Sequence, residues 1–493
     1  LLFIWEDGES VGNSEKKSRM AKTVAWGLSG SVVLIPVLAV MLGFPLLEAE
    51  LQRRAETGRR PDHLPESNDG EAVGEPMTLA VSAERSTIRP EQVGVGWPSL
   101  LGPTGNCVSP ERGLDWSWNQ SGPLEKWRIP AGNGYASPVV LGNRLVLFHR
   151  VENREVVDCL DAETGDGVWS QAWAATYECP FNHSSGPYSA PVLEAGQVYT
   201  IGANGHLACL DLEDGSEIWH RDVHREFQVQ LEVWPVSASP VVEGDLLIVN
   251  VGGRRTNAGI VAFDKHSGGT AWTATEDGMS CSTPVAATIH ANRFLFVWTA
   301  DALVSLNPED GQVYWRIPFA AKNYEAAHGT SPLIVDDLVF VSGYQIGNLC
   351  LRILPDGSYS ELWRDRRDLL DCQYKNLLHV DGHVCGFSAT RKSLRCLDLE
   401  TGAMKWQWRS KITNGSMISV DGHYLVLGEN GRLAALDMAS HGVEEIAMTA
   451  RPILRGPILA YPALHNGLLY LRNDRDLLCV DLRPTADYRP VRR

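Results

Sequence analysis

Positive charge is scarce in this chain of 493 residues: 44 Lys and Arg stand against 60 Asp and Glu, a formal net charge of −16. Phosphate backbones are held by concentrated basic surface, so this balance excludes nucleic acid as the expected partner. None of the ten cysteines forms a Cys-x-x-Cys pair, which excludes the ligand spacing of structural zinc modules. No cysteine precedes Cys107, which removes lipid attachment at a signal-peptide cysteine. Residues 48–92 have no aromatic but carry 16 charged residues and four prolines. Such a composition cannot bury enough apolar area to order itself, and a disordered linker is expected there.

Residues 23–47 lack charge altogether over 25 positions, and Lys16, Lys17, Arg19 and Lys22 precede them. That length spans a bilayer, and the basic flank predicts a cytoplasmic segment at 1–22 with everything downstream exported. A cleaved signal peptide would have a shorter apolar run and a small-x-small site, which Leu47-Glu48-Ala49 does not supply. A single-pass signal anchor is therefore expected, with the remainder in the periplasm or otherwise outside the cytoplasm. Leu1 is not an initiator, so Met20-Ala21-Lys22 is the expected start and residues 1–19 are expected to be untranslated.

What the chain does have is a tryptophan that returns every 42 to 53 residues, at Trp127, Trp169, Trp219, Trp272, Trp315, Trp363 and Trp406. The phrase Cys159-Leu160-Asp161-Ala162-Glu163-Thr164-Gly165 leads to Trp169, and related phrases carry Gly215, Gly268, Gly311 and Gly402. A period of this size means that one copy cannot bury its own apolar face and must share a core with its neighbours. Each copy opens with a small residue, a proline and a β-branched pair, as in Ser137-Pro138-Val139-Val140 and Ser239-Pro240-Val241-Val242. Proline is tolerated at a strand start, where its missing N–H costs the ladder least. A Gly or Asp turn, a second apolar run, a third strand ending near Cys-Leu-Asp and a fourth carrying the Trp complete a four-stranded propeller blade.

Eight such openings are present if Lys375 to His379, Gly415 to Ser419 and Tyr461 to Leu464 are included. The last unit ends before a Trp strand, whereas Glu125 to Ile129 is a Trp strand with no blade before it. The predicted fold is thus all-β: an eight-bladed β-propeller of four-stranded antiparallel blades, closed by an N-terminal strand and preceded by one transmembrane helix. The expected divisions are a lead-in at 93–124, the propeller at 125–485 and a tail at 486–493. Cys159, Cys209, Cys396 and Cys479 share one third-strand slot with Ala262, Ser305 and Ala435, which assigns them to the core. Cys179 with Cys107, and Cys372 with Cys385, are left as possible disulfides.

The blades resemble the PQQ-like repeat family, whose phrase is close to Ala-x-Asp-x-x-Thr-Gly-x-x-x-Trp, and the resemblance runs from Trp127 to Asp481. Trp97-Pro98-Ser99-Leu100-Leu101-Gly102-Pro103 is similar to a Trp-Pro-x-x-Arg-Gly-Pro opening of exported members, with Leu101 in place of Arg. The resemblance implies a ring of the quinoprotein alcohol dehydrogenase-like type. One branch of it consists of dehydrogenases holding PQQ and Ca²⁺ in the central funnel. The other consists of binding scaffolds of the outer-membrane assembly factor BamB type, which are not catalytic. The enzyme branch carries adjacent cysteines against the cofactor, and no Cys-Cys or Cys-x-x-Cys-His occurs here.

The expectation is therefore a membrane-tethered, extracytoplasmic scaffold without a cofactor that binds a protein or saccharide. A PQQ- and Ca²⁺-dependent alcohol or sugar dehydrogenase is the alternative. Loops from the outer strand of one blade to the inner strand of the next line the funnel face, and they supply the ligand candidates His183, Trp234, Arg254, Glu276, Tyr324, His328, Arg366 and Tyr374. Arg254-Arg255 and Arg366-Arg367 suit carboxylates or anionic sugars. Glu276 beside Asp277 suits Ca²⁺ or a general base in the alternative reading. His183 and His328 lack any ligand spacing, so metal binding is not expected. The repeat tryptophans and glycines are assigned to structure, because a functional group would not recur in every blade.

Overall fold

The computed structural model describes residues 96–181, 183–230, 234–320, 329–365 and 369–484. The expected anchor at 23–47, the linker at 48–92, the tail at 486–493 and the candidates Tyr324, His328 and Arg366 lie outside these residues. Among the described residues no helix is long and apolar enough to cross a membrane.

Eight antiparallel sheets follow one another around a ring. Their innermost strands are Val139–Leu141, Val192–Glu194, Val241–Glu243, Val285–Ile289, Leu333–Val335, Leu378–Val380, Gly415–Val420 and Ala463–His465, in blades 1 to 8. The outermost strands run from Gly167–Ala174 in blade 1 to Gly442–Met448 in blade 7. Blade 8 takes its outer strand from Leu124–Pro130, which pairs antiparallel with Asp476–Asp481 and sets Trp127 opposite Cys479. The early strand thus closes the ring and leaves no open seam.

The turn phrase explains itself in hydrogen bonds. The carboxylate of Asp161 accepts the N–H groups of Glu163 and Thr164 at 2.9 and 3.0 Å, and Asp398 does the same for Thr401 at 3.0 Å. Asp side chains satisfy turn amides in this way. The tryptophans then join blades: Nε1–H of Trp219 donates to Lys265 O at 3.0 Å, of Trp272 to Pro308 O at 3.0 Å, and of Trp406 to Ala439 O at 2.8 Å, each in the following blade. Gly165, Gly215, Gly268, Gly311 and Gly402 lie directly beneath the indoles of the preceding blade.

Two details depart from the repeat read in the sequence. In blade 7 the Trp slot holds Ala447 opposite Ala435, and in blade 5 the slot opposite Trp363 holds Cys350, a fifth core cysteine. All ten cysteines are free, which corrects both disulfide expectations. Cys107 lies buried against the inner strand of blade 7, while Cys179 belongs to the loop after blade 1. Cys385 faces Cys396 across its own sheet, with the Cys372 sulfur packed beside Gly386.

At three junctions the hydroxyl that precedes an opening proline ties neighbouring inner strands together. The N–H of Ala190 donates to Ser239 Oγ at 2.9 Å, that of Ser239 to Thr283 Oγ1 at 3.0 Å, and that of Tyr461 to Ser137 Oγ at 2.7 Å. Asn376 takes this role in blade 6, where Oδ1 accepts the N–H of Met417 at 2.9 Å. The small polar residue of the repeat is therefore a clasp between blades near the axis.

The lead-in segment does not stay outside the ring. Trp97 is fully buried and exchanges backbone hydrogen bonds with Val140 of blade 1 at 2.7 and 2.9 Å. Pro98 O accepts Leu193 N–H of blade 2 at 2.8 Å. The chain folds Gly102 against the Trp97 ring, and Val108–Ser109 then joins the inner edge of blade 7 as a fifth, parallel strand. The Trp-Pro and Gly-Pro pairs thus frame a plug across the axis of the ring.

Candidate functional site

The axis holds two separate cavities, and Leu100 of the plug lines both. One opens where chains enter the inner strands, the face predicted to bind. Its wall is built by a positional rule: Tyr135, Tyr188, Ser237, Cys281, Gly329 and Leu459 each stand three residues before the proline that opens an inner strand, and Tyr374 stands three before Leu377 in the equivalent place. One repeat position, presented by successive blades, becomes a ring around the axis. Tyr461, His183 and Trp234 complete the cup above it.

The aromatic groups are locked together. Tyr135 and Tyr188 pack with ring centroids 4.6 Å apart, and Tyr135 Oη accepts Ser184 N–H at 3.0 Å while lying 3.3 Å from His183 Nδ1. Tyr188 O–H donates to Ser184 O at 2.8 Å. His183 meets Trp234 edge-on at 5.4 Å, and Phe181 lies 5.5 Å from Trp234 on the solvent side. Buried Arg150 holds the loop that carries these groups, donating to Ser185 O at 2.9 Å and pairing with Glu178 at 2.6 Å. Burial pushes the Tyr135 phenol up to about 12 and raises Tyr188 and Tyr374 further, so all three stay protonated at neutral pH. Burial likewise raises the Cys281 thiol, leaving it a neutral wall residue rather than a nucleophile.

Of the candidates read from sequence, the structure brings His183, Trp234 and Tyr374 into this cup. Arg254 is not in the wall: it pairs with Asp301 at 2.6 Å. Glu276 is exposed just beyond the outer strand of blade 3, and its neighbour Asp277 is buried against Arg316 at 2.6 Å. Tyr135, Cys281, Leu459 and Tyr461 were not among the candidates. The fixed distance to the proline was the signal available for the first three.

A quinone cofactor with Ca²⁺ does not fit this arrangement. The cup has a volume of about 80 Å³, well below the roughly 300 Å³ at which small-molecule sites begin. Among the described residues its wall has no carboxylate or carboxamide to hold Ca²⁺ and no Arg or Lys to meet a carboxylated cofactor, and no group of three His, Cys, Asp or Glu is placed to hold a metal ion.

The chain is similar to the outer membrane protein assembly factor BamB of Moranella endobia (strain PCIT), 24% identical over 301 residues that cover 56% of this chain and 70% of that protein. Among solved structures, BamB from Moraxella catarrhalis superposes with a TM-score of 0.52 at 17% identity, covering 75% of this chain and 100% of the other. The quinohemoprotein alcohol dehydrogenase from Comamonas testosteroni superposes with a TM-score of 0.58 at 13% identity, covering 80% and 82%. Structural likeness at such identities establishes the propeller and no more. A family profile described as outer membrane protein assembly factor BamB matches residues 153–408, just over half of the sequence, and the chain therefore belongs to that family of PQQ-like repeat propellers.

Proposed function

We propose that this protein is a non-catalytic scaffold of the cell envelope that docks a partner protein through the aromatic cup, held at the membrane by residues 23–47. The observation that carries the reading is the cup itself: about 80 Å³ walled by Tyr135, Tyr188, Trp234 and Tyr374 and floored by the chain's own Leu100. That volume accepts one apolar side chain. Preformed aromatic pockets of this kind are what binding hot spots use. A sugar is a poorer match, because the hydroxyls of Tyr135 and Tyr188 are already engaged with Ser184. Membership of the BamB family supports the same class of function, since its relatives are named as assembly factors.

The test is quantitative affinity capture from envelope extracts with the wild-type ring and a Phe181→Ala/Trp234→Ala variant. A partner retained by the first and lost by the second, at equal melting temperature, supports the cup. A saturable oligosaccharide complex, or stabilisation together with dye reduction on adding PQQ, Ca²⁺ and an alcohol, contradicts the reading.

A further inference from the structure

The second cavity runs along the axis from the openings of the inner strands to the end where they finish, and has a volume of about 700 Å³. It is bounded by the plug on one side and by the inner strands of blades 2 to 5 on the other. Every inner strand has one edge paired within its blade and one edge facing the axis. The plug covers the axial edge of blade 1 through Trp97, of blade 2 through Pro98, and of blade 7 through Val108–Ser109. Among the described residues nothing pairs with the axial edges of blades 3, 4 and 5.

Blade 4 is the best suited of these. Its inner strand Val285–Ile289 has five residues, against three in blades 3 and 5, and Val285 to Thr288 all line the cavity. Ile289 faces Asn292 across a two-residue turn whose His290 and Ala291 both have positive φ, the geometry of a tight hairpin. Hydrogen-bonded and open pairs alternate from such a turn, which directs the backbone N–H and C=O of Ala286 and Thr288 toward the axis. An unpaired edge of this kind is a template for another strand. The chain already uses the template once, at Ser419 and Val420 of blade 7.

Charge adds a second criterion. Glu194, Glu243 and Asp336 line the cavity with Arg293 as the cation. Arg293 is held by Glu243 at 2.6 Å and Glu194 is met by Lys265 at 3.0 Å, while among the described residues no cation pairs with Asp336. We propose that this end of the channel binds an extended peptide of a partner protein by strand addition to the axial edge of Val285–Ile289, with a basic side chain directed to Asp336. A strand of about five residues matches the edge. The site is separate from the cup and stands or falls independently of it.

The probe is a fluorescein-labelled hexapeptide, Thr-Val-Lys-Val-Thr-Val, titrated into the full chain in detergent and followed by anisotropy. Saturable binding is expected, weakened at least about tenfold by N-methylation of alternate peptide amides, which removes the donors of a ladder. Ala286→Pro is expected to weaken it similarly, Asp336→Asn severalfold, and Trp234→Ala not at all. Should Ala286→Pro lower the melting temperature, the N-methylated peptide and Asp336→Asn decide. Equal binding of the N-methylated peptide, loss of binding in Trp234→Ala, or no saturation would overturn the proposal.

Discussion

The indole of Trp169 rests on the backbone of Gly215 in the next blade while its Nε1–H donates to Leu212 O at 2.9 Å. Gly215 has φ +74°, and a Cβ placed there would lie 2.5 Å from the ring. The residue is thus fixed as glycine twice over, by the left-handed turn and by the neighbour's aromatic face. Gly215→Ala is predicted to destabilise the ring by about 3 kcal/mol, from strain plus displacement of the indole. Gly442→Ala in blade 7, where nothing lies within 4 Å and no indole sits above, is predicted to change stability by less than about 0.5 kcal/mol. Paired denaturant titrations of the two variants measure the contrast.

Acid sensitivity is predicted from His224. Its ring is buried against Gly205, neither nitrogen has a hydrogen-bond partner among the described residues, and burial lowers its pKa to about 4 against a weaker opposing pull from Asp222. The unfolded chain protonates this group near pH 6.5 and the folded one only near 4, so folding binds fewer protons. Stability is full above pH 6.5, falls as pH drops toward 4 and levels below it, for a loss of about 3 kcal/mol from this residue. Unfolding free energies of wild type and His224→Phe, measured from pH 7.5 to 4, are expected to diverge over that window and nowhere above it.

Arg472 is predicted to hold the closure between blades 8 and 1. Its guanidinium is fully buried and donates to Phe148 O at 3.0 Å, Gly132 O at 2.8 Å and Ala136 O at 3.3 Å. Arg472→Met leaves those carbonyls without a donor, at an expected cost of about 4 kcal/mol. Arg128→Met, which removes a partly exposed pair with Glu125 at 2.8 Å, is expected to cost less than about 1 kcal/mol. Chemical denaturation of both variants compares a closure contact with a surface contact.

Thiol chemistry gives a further check. Cys179 and Cys281 are partly accessible, and the other eight cysteines are buried. Native protein is expected to react with a thiol reagent at no more than these two positions, with Cys281 slow because burial raises its pKa. All ten are expected to react after unfolding without reductant. Fewer than ten would show a disulfide.

How much of this was readable in the sequence follows from which contacts are periodic. Blade number, inner-strand openings and the closing strand at Trp127 follow from residues that repeat at fixed offsets, and those offsets map directly onto sheet positions. The plug was not readable. Trp97, Pro98 and Cys107 belong to no repeat, and their respective partners Val140, Leu193 and Ser419 become neighbours only when the ring closes. Arg254 and Glu276 were legible as polar loop residues, but sequence does not reveal that Asp301 occupies the first or that the second faces solvent beyond the cup. Part of the cup was hidden for the opposite reason: Tyr135 and Cys281 stand three residues before the proline, a position that resembles ordinary loop until seven blades point it at one axis.

Photocrosslinking in living cells tests the scaffold reading most directly, with benzoylphenylalanine installed at position 234 and, as a control, at Val313 on the exposed outer edge of blade 4. The expected result is a discrete adduct with one envelope protein from position 234 that is absent from position 313. No protein adduct at 234, combined with PQQ- and Ca²⁺-dependent dye reduction by the purified ring, would contradict it.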